Sequence, residues 1–180
     1  MKPRIIIHVS VISLLGLSVL ASAEEPIAET PSEIREQFAG AFDREFHFLR
    51  SAGEAEPAVR SINLSIDFET GSDEPSVGGH DKLKVLAAEM ADSKYRRLIL
   101  LIEGHCDTRG SGVSNLHLSE ARADRVRMAL IEAGIDPQNL LSAGKGESFP
   151  LVSPESGEED YRKNRRVVVR FAGLLPETSE

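Results

Sequence analysis

The chain is 180 residues long, with 41% apolar and 28% charged residues, one cysteine, no tryptophan and a formal charge of -8. That composition supports a packed core and excludes wholesale disorder, while one cysteine rules out an internal disulfide or a zinc site built on several thiolates. The acidic balance argues against nucleic acid or anionic lipid as the main partner, because phosphates call for a basic patch.

Lys2 and Arg4 precede an apolar run from Ile5 to Leu20, and Ala21-Ser22-Ala23 closes it. A basic start, a short greasy core and small residues at its end predict a secretory signal peptide over residues 1–23. An uncleaved anchor is the alternative, but the run falls short of the roughly 20 apolar residues of a spanning helix. Cleavage removes two cations and takes the net charge to -10. Glu24, not cysteine, follows the cut, so lipidation at that point is excluded. The longest later apolar run, Leu98 to Ile102, is too short to span a bilayer. The expected location of the mature product is therefore an exported compartment.

Residues 24–59 read as an acidic tether and an amphipathic helix. Thr30-Pro31-Ser32-Glu33 has the marks of a helix start: a capping threonine, a proline at the first position and a glutamate at the third. Ile34, Phe38, Phe42, Phe46 and Leu49 follow at helical spacing, and Ser51-Ala52-Gly53 ends the run. This aromatic stripe needs a surface to bury it. Two alternatives stay open: packing on its own domain, or a partner or second copy docking at Phe38, Phe42 and Phe46.

Residues 60–172 read as one α/β domain. Ile62, Leu64, Ile66 and Phe68 alternate with polar residues, which predicts a strand with one buried face. Leu83, Leu86, Ala87 and Met90 mark an amphipathic helix. Leu98 to Ile102 predicts a central strand covered on both faces. A loop spans Gly104 to Gly112, and a second helix runs from about Asn115 to Ala133 and stops at Gly134. Strands are expected near Leu140–Ala143 and Arg166–Phe171, with a long polar loop from Gly146 to Asn164 and a loose tail over 173–180. The fold class is α+β: one mixed sheet with helices packed on it, plus the N-terminal helix.

Leu118, Arg122, Val126 and Leu130 lie four apart and share one helix face. Three of them are apolar, so Arg122 is placed on or beside the buried stripe. A guanidinium there needs an acceptor. A ligand carboxylate would fit its planar fork; an internal salt bridge to an aspartate is the alternative. Asp107 follows the central strand, where ligands of open α/β sheets commonly sit. Asp107 and Arg122 together would suit a zwitterion.

Gly104-His105-Cys106-Asp107-Thr108-Arg109-Gly110, then Asn115-x-x-Leu118-Ser119-x-x-Arg122-Ala123-x-x-Val126, Gly144-x-Gly146-Glu147 and Asn164-Arg165-Arg166-Val167 resemble the OmpA-like peptidoglycan-binding domain. The resemblance covers about Ile62 to Phe171. It implies a β-α-β-α-β-β fold and non-covalent binding of the bacterial cell wall in the periplasm of a Gram-negative-type bacterium; neither a lipid anchor nor a barrel is expected beside the domain, so the family's outer-membrane attachment is not carried over. It also implies that Asp107 and Arg122 grip the diaminopimelate terminus of the peptide stem. Asn115 would orient the stem or support Asp107, Arg165 would add a second carboxylate contact, and Leu118 would form pocket wall. Thr70 and Gly71 match a loop lining the family pocket. Cys106 stands where the family usually has threonine, which weakens one ligand contact.

Sharper chemistry is set aside. His105 and Cys106 are neighbours on an extended strand end and point to opposite faces, so they form no thiol–imidazole dyad. Glu103, His105 and Asp107 alternate, but one histidine without a supporting motif is a weak metal set. The basic run Arg162, Lys163, Arg165, Arg166 is either a solvated face or a contact for anionic stem peptides. Neither an enzymatic site nor a cofactor is expected.

Overall fold

The structure, a computed structural model, describes residues 27–40, 61–66, 68 and 72–175. The expected signal peptide, Phe42, Phe46, Thr70, Gly71 and the end of the tail lie outside these residues. Strand β1 (Ile27–Ala28) is followed by helix α1, described over 31–40. Then come β2 (Ser61–Leu64), α2 (Val77–Met90), β3 (Leu98–Gly104), α3 (Gly112–Glu132), β4 (Leu140–Gly144), α4 (Glu158–Asn164) and β5 (Val167–Leu174). Among the described residues no helix is long and apolar enough to cross a membrane.

The predicted capping box forms at the start of α1. The Glu33 amide donates to Thr30 Oγ1 at 3.3 Å, and the Thr30 amide donates to Glu33 Oε2 at 2.9 Å. Ile34 and Phe38, one turn apart, are completely buried. Phe38 meets Tyr95 edge-to-face, with ring centroids 4.9 Å apart and planes at 83°. The described part of the aromatic stripe therefore packs on its own domain, and Phe38 is not a partner face. The acidic lead is more ordered than expected. Ile27 and Ala28 pair in parallel with Asn63 and Leu64, and Ala28 is fully buried.

The sheet order is β1-β2-β5-β3-β4. The last strand enters between β2 and β3 and is antiparallel to both, while β3 and β4 are parallel. Its register aligns the apolar residues: Val169 stands opposite Ile62 on one side and Ile102 on the other, and all three are fully buried. Leu83 and Leu86 of α2 and Val126 and Leu130 of α3 cover this inner face in one core.

Four expectations need correction. The first strand stops at Leu64 as a ladder, although Ile66 stays buried and Phe68 returns only as an isolated bridge to Pro75. Strand β3 is covered on one face, not both: Leu98, Leu100 and Ile102 are buried, whereas Ile99 and Leu101 are half-exposed and neighbouring Leu141 is exposed. The polar stretch before β5 holds α4, which is polar along its length and so shows no apolar period. Its first turn is acidic (Glu158, Glu159, Asp160) and its last basic (Arg162, Lys163), which complements the helix dipole. The tail starts later than residue 173, because β5 continues to Leu174 and the Leu175 amide bonds the Arg97 carbonyl at 2.8 Å.

Phe38 is the test of self-packing. Phe38→Ala is expected to destabilise the domain by ~3–5 kcal/mol, the usual cost of emptying a buried phenylalanine site. Urea unfolding followed by circular dichroism measures it. A loss below about 1 kcal/mol would mean that α1 is not part of the core.

Candidate functional site

The site begins where β3 ends and α3 starts. The helix is docked on the strand ends by Ser119, which is fully buried. A Cβ on Gly104 would lie 2.1 Å from the Ser119 carbonyl oxygen, and one on Gly144 would lie 2.7 Å from the Glu120 amide nitrogen. Only glycine permits this approach. Ser119 Oγ donates to the Leu116 carbonyl and accepts from the Gly146 amide, both at 2.8 Å. The loops after β3 and β4 then meet, as the Cys106 amide donates to the Gly146 carbonyl at 2.9 Å.

Asn115, one turn earlier on α3, holds the loop. Its Nδ2 donates to the Asp107 carbonyl at 3.1 Å and to Glu147 Oε2. Asn115 thus ties α3 to the backbone of Asp107. Cys106 is buried, and its thiol donates to the Asn115 carbonyl at 3.4 Å. Burial pushes the thiol pKa up, with the nearby Arg122 cation opposing it. Cys106 thus makes a loop-to-helix contact within the protein.

Asp107 is more crowded than the sequence suggested. Its Oδ2 accepts from Arg109 Nη2 at 2.7 Å, Arg109 Nε at 3.2 Å and Arg165 Nη1 at 2.8 Å. Its Oδ1 accepts the Arg109 amide at 3.0 Å. Burial raises the carboxyl pKa, but the hydrogen bonds from Arg109 and Arg165 outweigh it and hold the group below the usual carboxylate range. Both arginines reach on to Glu158 of α4, Arg165 at 2.6 Å and Arg109 at 3.2 Å. Arg109 also stacks on Tyr161, 4.3 Å from the ring centroid.

Arg122 follows Ser119 by nearly one turn and is buried as its spacing predicts. It does not pair with Asp107. Its Nε donates to the Ser72 carbonyl at 3.1 Å, and its guanidinium lies over the Phe68 ring at 4.8 Å. Burial lowers its pKa and the Arg165 cation adds to this, while Asp107 and Asp73 oppose at longer range. An arginine stays charged regardless. Among the described residues no carboxylate comes within ion-pair distance of it, so the internal salt bridge weighed from the sequence is absent. The guanidinium faces a cleft of about 70 Å³ lined by Ile66, Phe68, Arg122, Arg162 and Arg165.

The structure therefore gathers Asp107, Arg122, Arg165, Cys106 and Asn115. Leu118 is half-buried and is not a wall of this cleft. Glu103, His105 and Asp107 do not converge: Glu103 is tied to Arg170 and Lys145 on the outer face of the sheet. Sequence reasoning gave no place in the site to Arg109, Glu158 or Tyr161, and read Ile66 and Phe68 only as the buried face of a strand. The charge gradient along 158–163 was the one available sign of α4.

A family model described as the OmpA family matches residues 68–165, more than half of the chain. The chain belongs to the OmpA family. This OmpA-family chain is 30% identical over 115 residues to the peptidoglycan-associated lipoprotein of Pseudomonas aeruginosa, covering 64% of this chain and 66% of that one. It is 39% identical over 72 residues to the peptidoglycan-associated lipoprotein of Buchnera aphidicola, covering 40% and 41%. With outer membrane protein A of Bordetella avium it shares 30% over 119 residues, covering 66% and 59%. The chain thus spans about 41% to 59% of the length of these last two relatives. The crystal structure of the peptidoglycan-associated lipoprotein from Burkholderia pseudomallei superposes with a TM-score of 0.54 at 25% identity, covering 63% of this chain and 90% of that one. A putative MotB-like protein from Desulfovibrio vulgaris has the same fold, with a TM-score of 0.56 at 23% identity, covering 78% and 94%.

His105, beside the site, sets an acid limit on stability. It is buried, and neither ring nitrogen has a hydrogen-bond partner. Burial, with help from the Arg166 cation, lowers its pKa to about 3 from the ordinary 6.5. The unfolded chain takes up this proton below about pH 6.5 and the native state does not, so stability is full above that pH and falls toward pH 3. The slope reaches at most about 1.4 kcal/mol per pH unit. His105→Leu is expected to flatten the fall between about pH 7 and 5 in urea titrations, a window above the range where Asp107 and Glu103 protonate. An unchanged slope would show that His105 is protonated in the native state.

Proposed function

We propose that this chain binds peptidoglycan without catalysis, through the diaminopimelate of the stem peptide, as a cell-wall-associated protein of the periplasm. The observation that carries the reading is Arg122: a buried cation with no carboxylate partner among the described residues, lining a cleft. Such a group is costly unless an anion completes it, and a planar carboxylate matches its fork. Asp107 is bonded by Arg165, which lines the cleft, and would take the ligand's ammonium once one of its two arginines yields. A free amino-acid end carries both charges, and the side-chain terminus of diaminopimelate is such an end. The names of the lipoprotein relatives support peptidoglycan as the polymer. Residues 1–23 support export to the compartment where that polymer lies. Asn115 and Cys106 hold the loop, while Arg165 adds positive charge at the cleft wall.

The test is co-sedimentation of the purified protein with diaminopimelate-type sacculi. Arg122→Ala and Asp107→Asn are each expected to weaken binding roughly tenfold or more, the scale of a hydrogen bond to a charged group. Circular dichroism melts establish that both variants are folded. Undiminished pelleting by two folded variants would overturn the assignment.

A further inference from the structure

Asp107, Arg109, Glu158 and Arg165 form a closed ring of alternating charge. Arg109 joins Asp107 at 2.7 Å to Glu158 at 3.2 Å, and Arg165 joins Glu158 at 2.6 Å back to Asp107 at 2.8 Å. The Asp107 side chain is only 7% exposed, and three guanidinium hydrogen bonds crowd one of its oxygens. In this state the carboxylate has little room for an ammonium.

We infer that Arg109 is a displaceable latch on Asp107, and that Glu158 receives it when a ligand ammonium binds. This rests on the function proposed above and adds the step that admits the ligand. Of the two arginines, Arg109 is the one built to leave. Its side chain is 52% exposed against 28% for Arg165, and Arg165 lines the cleft while Arg109 does not. Its second partner and its stacking ring, Glu158 and Tyr161, lie three residues apart on α4 and so share a face. Arg109 can exchange Asp107 for Glu158 without leaving that face. The ring keeps zero net charge before exchange, and the incoming ammonium is balanced by its own carboxylate on Arg122. The latch therefore discriminates: a ligand without an ammonium gains nothing at Asp107, and Arg109 stays closed over it.

Two residues outside the ligand contacts thus tune affinity in opposite directions. The probe is the soluble tripeptide L-Ala-γ-D-Glu-meso-diaminopimelate, titrated calorimetrically into the full chain. Arg109→Gln is expected to tighten binding roughly threefold, the scale of one partly exposed ion pair, and Glu158→Gln to weaken it by a similar factor. The Glu158→Gln penalty shrinks in the Arg109→Gln background, because Glu158 acts through Arg109. The gain disappears for the same tripeptide with its side-chain amine acetylated. Weaker binding by Arg109→Gln would make it a ligand contact and overturn the latch. Equal Glu158→Gln penalties in both backgrounds would also overturn it. Binding that Asp107→Asn abolishes but Arg109→Gln does not strengthen removes the latch alone, whereas a wild-type protein that ignores the tripeptide removes the proposed ligand with it.

Discussion

The close seat of α3 on the ends of β3 and β4 is the constraint on which the site depends. Backbone lies against backbone there because positions 104 and 144 carry no side chain, and Ser119 closes the contact with two hydrogen bonds. Once Ser119 is fixed, the helical period assigns the rest. Asn115, four residues earlier, points to the loop and holds the Asp107 carbonyl. Arg122, three residues later, is carried toward Phe68. A shift of α3 by a fraction of an ångström would move all three together, because packed interiors transmit strain instead of absorbing it.

Two opposite electrostatic solutions stand side by side in this frame. Asp107 is over-supplied: two arginines and a backbone amide serve one carboxylate. Arg122 is under-supplied: among the described residues it has one backbone carbonyl, the Cys106 side chain and an aromatic face for a whole guanidinium. A purely structural pair would join the two. Their separation, with Arg165 between Asp107 and the cleft, leaves the site electropositive inside an acidic protein. Net charge excluded phosphate polymers as main partners but could not reveal this local inversion, which arises from a few side chains at one end of the sheet.

The parts of the molecule that were legible in the sequence are those decided locally or by period. The Thr30–Glu33 capping box needs four residues and formed as written. The burial of Arg122 followed from three apolar residues at helical spacing, and the family motifs placed Asp107 and Asn115 in one loop-and-helix unit. The insertion of β5 between β2 and β3 was not legible, because it joins segments about a hundred residues apart. Helix α4 was missed for another reason: it buries little beyond Asn164, so its pattern is charge and not hydrophobicity. Missing α4 concealed Glu158 and Tyr161, and with them the reason that Arg109 sits on Asp107.

Cys106 shows how a thiol, at a position where the resemblance implies a threonine, is accommodated. A hydroxyl at this position would be a stronger hydrogen-bonding group than a thiol. Here the side chain is buried, and its thiol donates to the Asn115 carbonyl in the first turns of α3. That contact ties loop to helix, alongside the stronger bond from the Asn115 side chain to the Asp107 carbonyl. The Cys106 amide bond to the Gly146 carbonyl and the Arg165 bond to Asp107 tie the loop as well, so a weakened thiol contact does not leave Asp107 loose. The substitution therefore costs little in positioning. Its chemical effect falls on Arg122, whose cation lies close enough to oppose the rise in the thiol's pKa. With burial the larger influence, the thiol stays protonated and neutral beside Arg122, and the full positive charge of the guanidinium remains directed at the cleft.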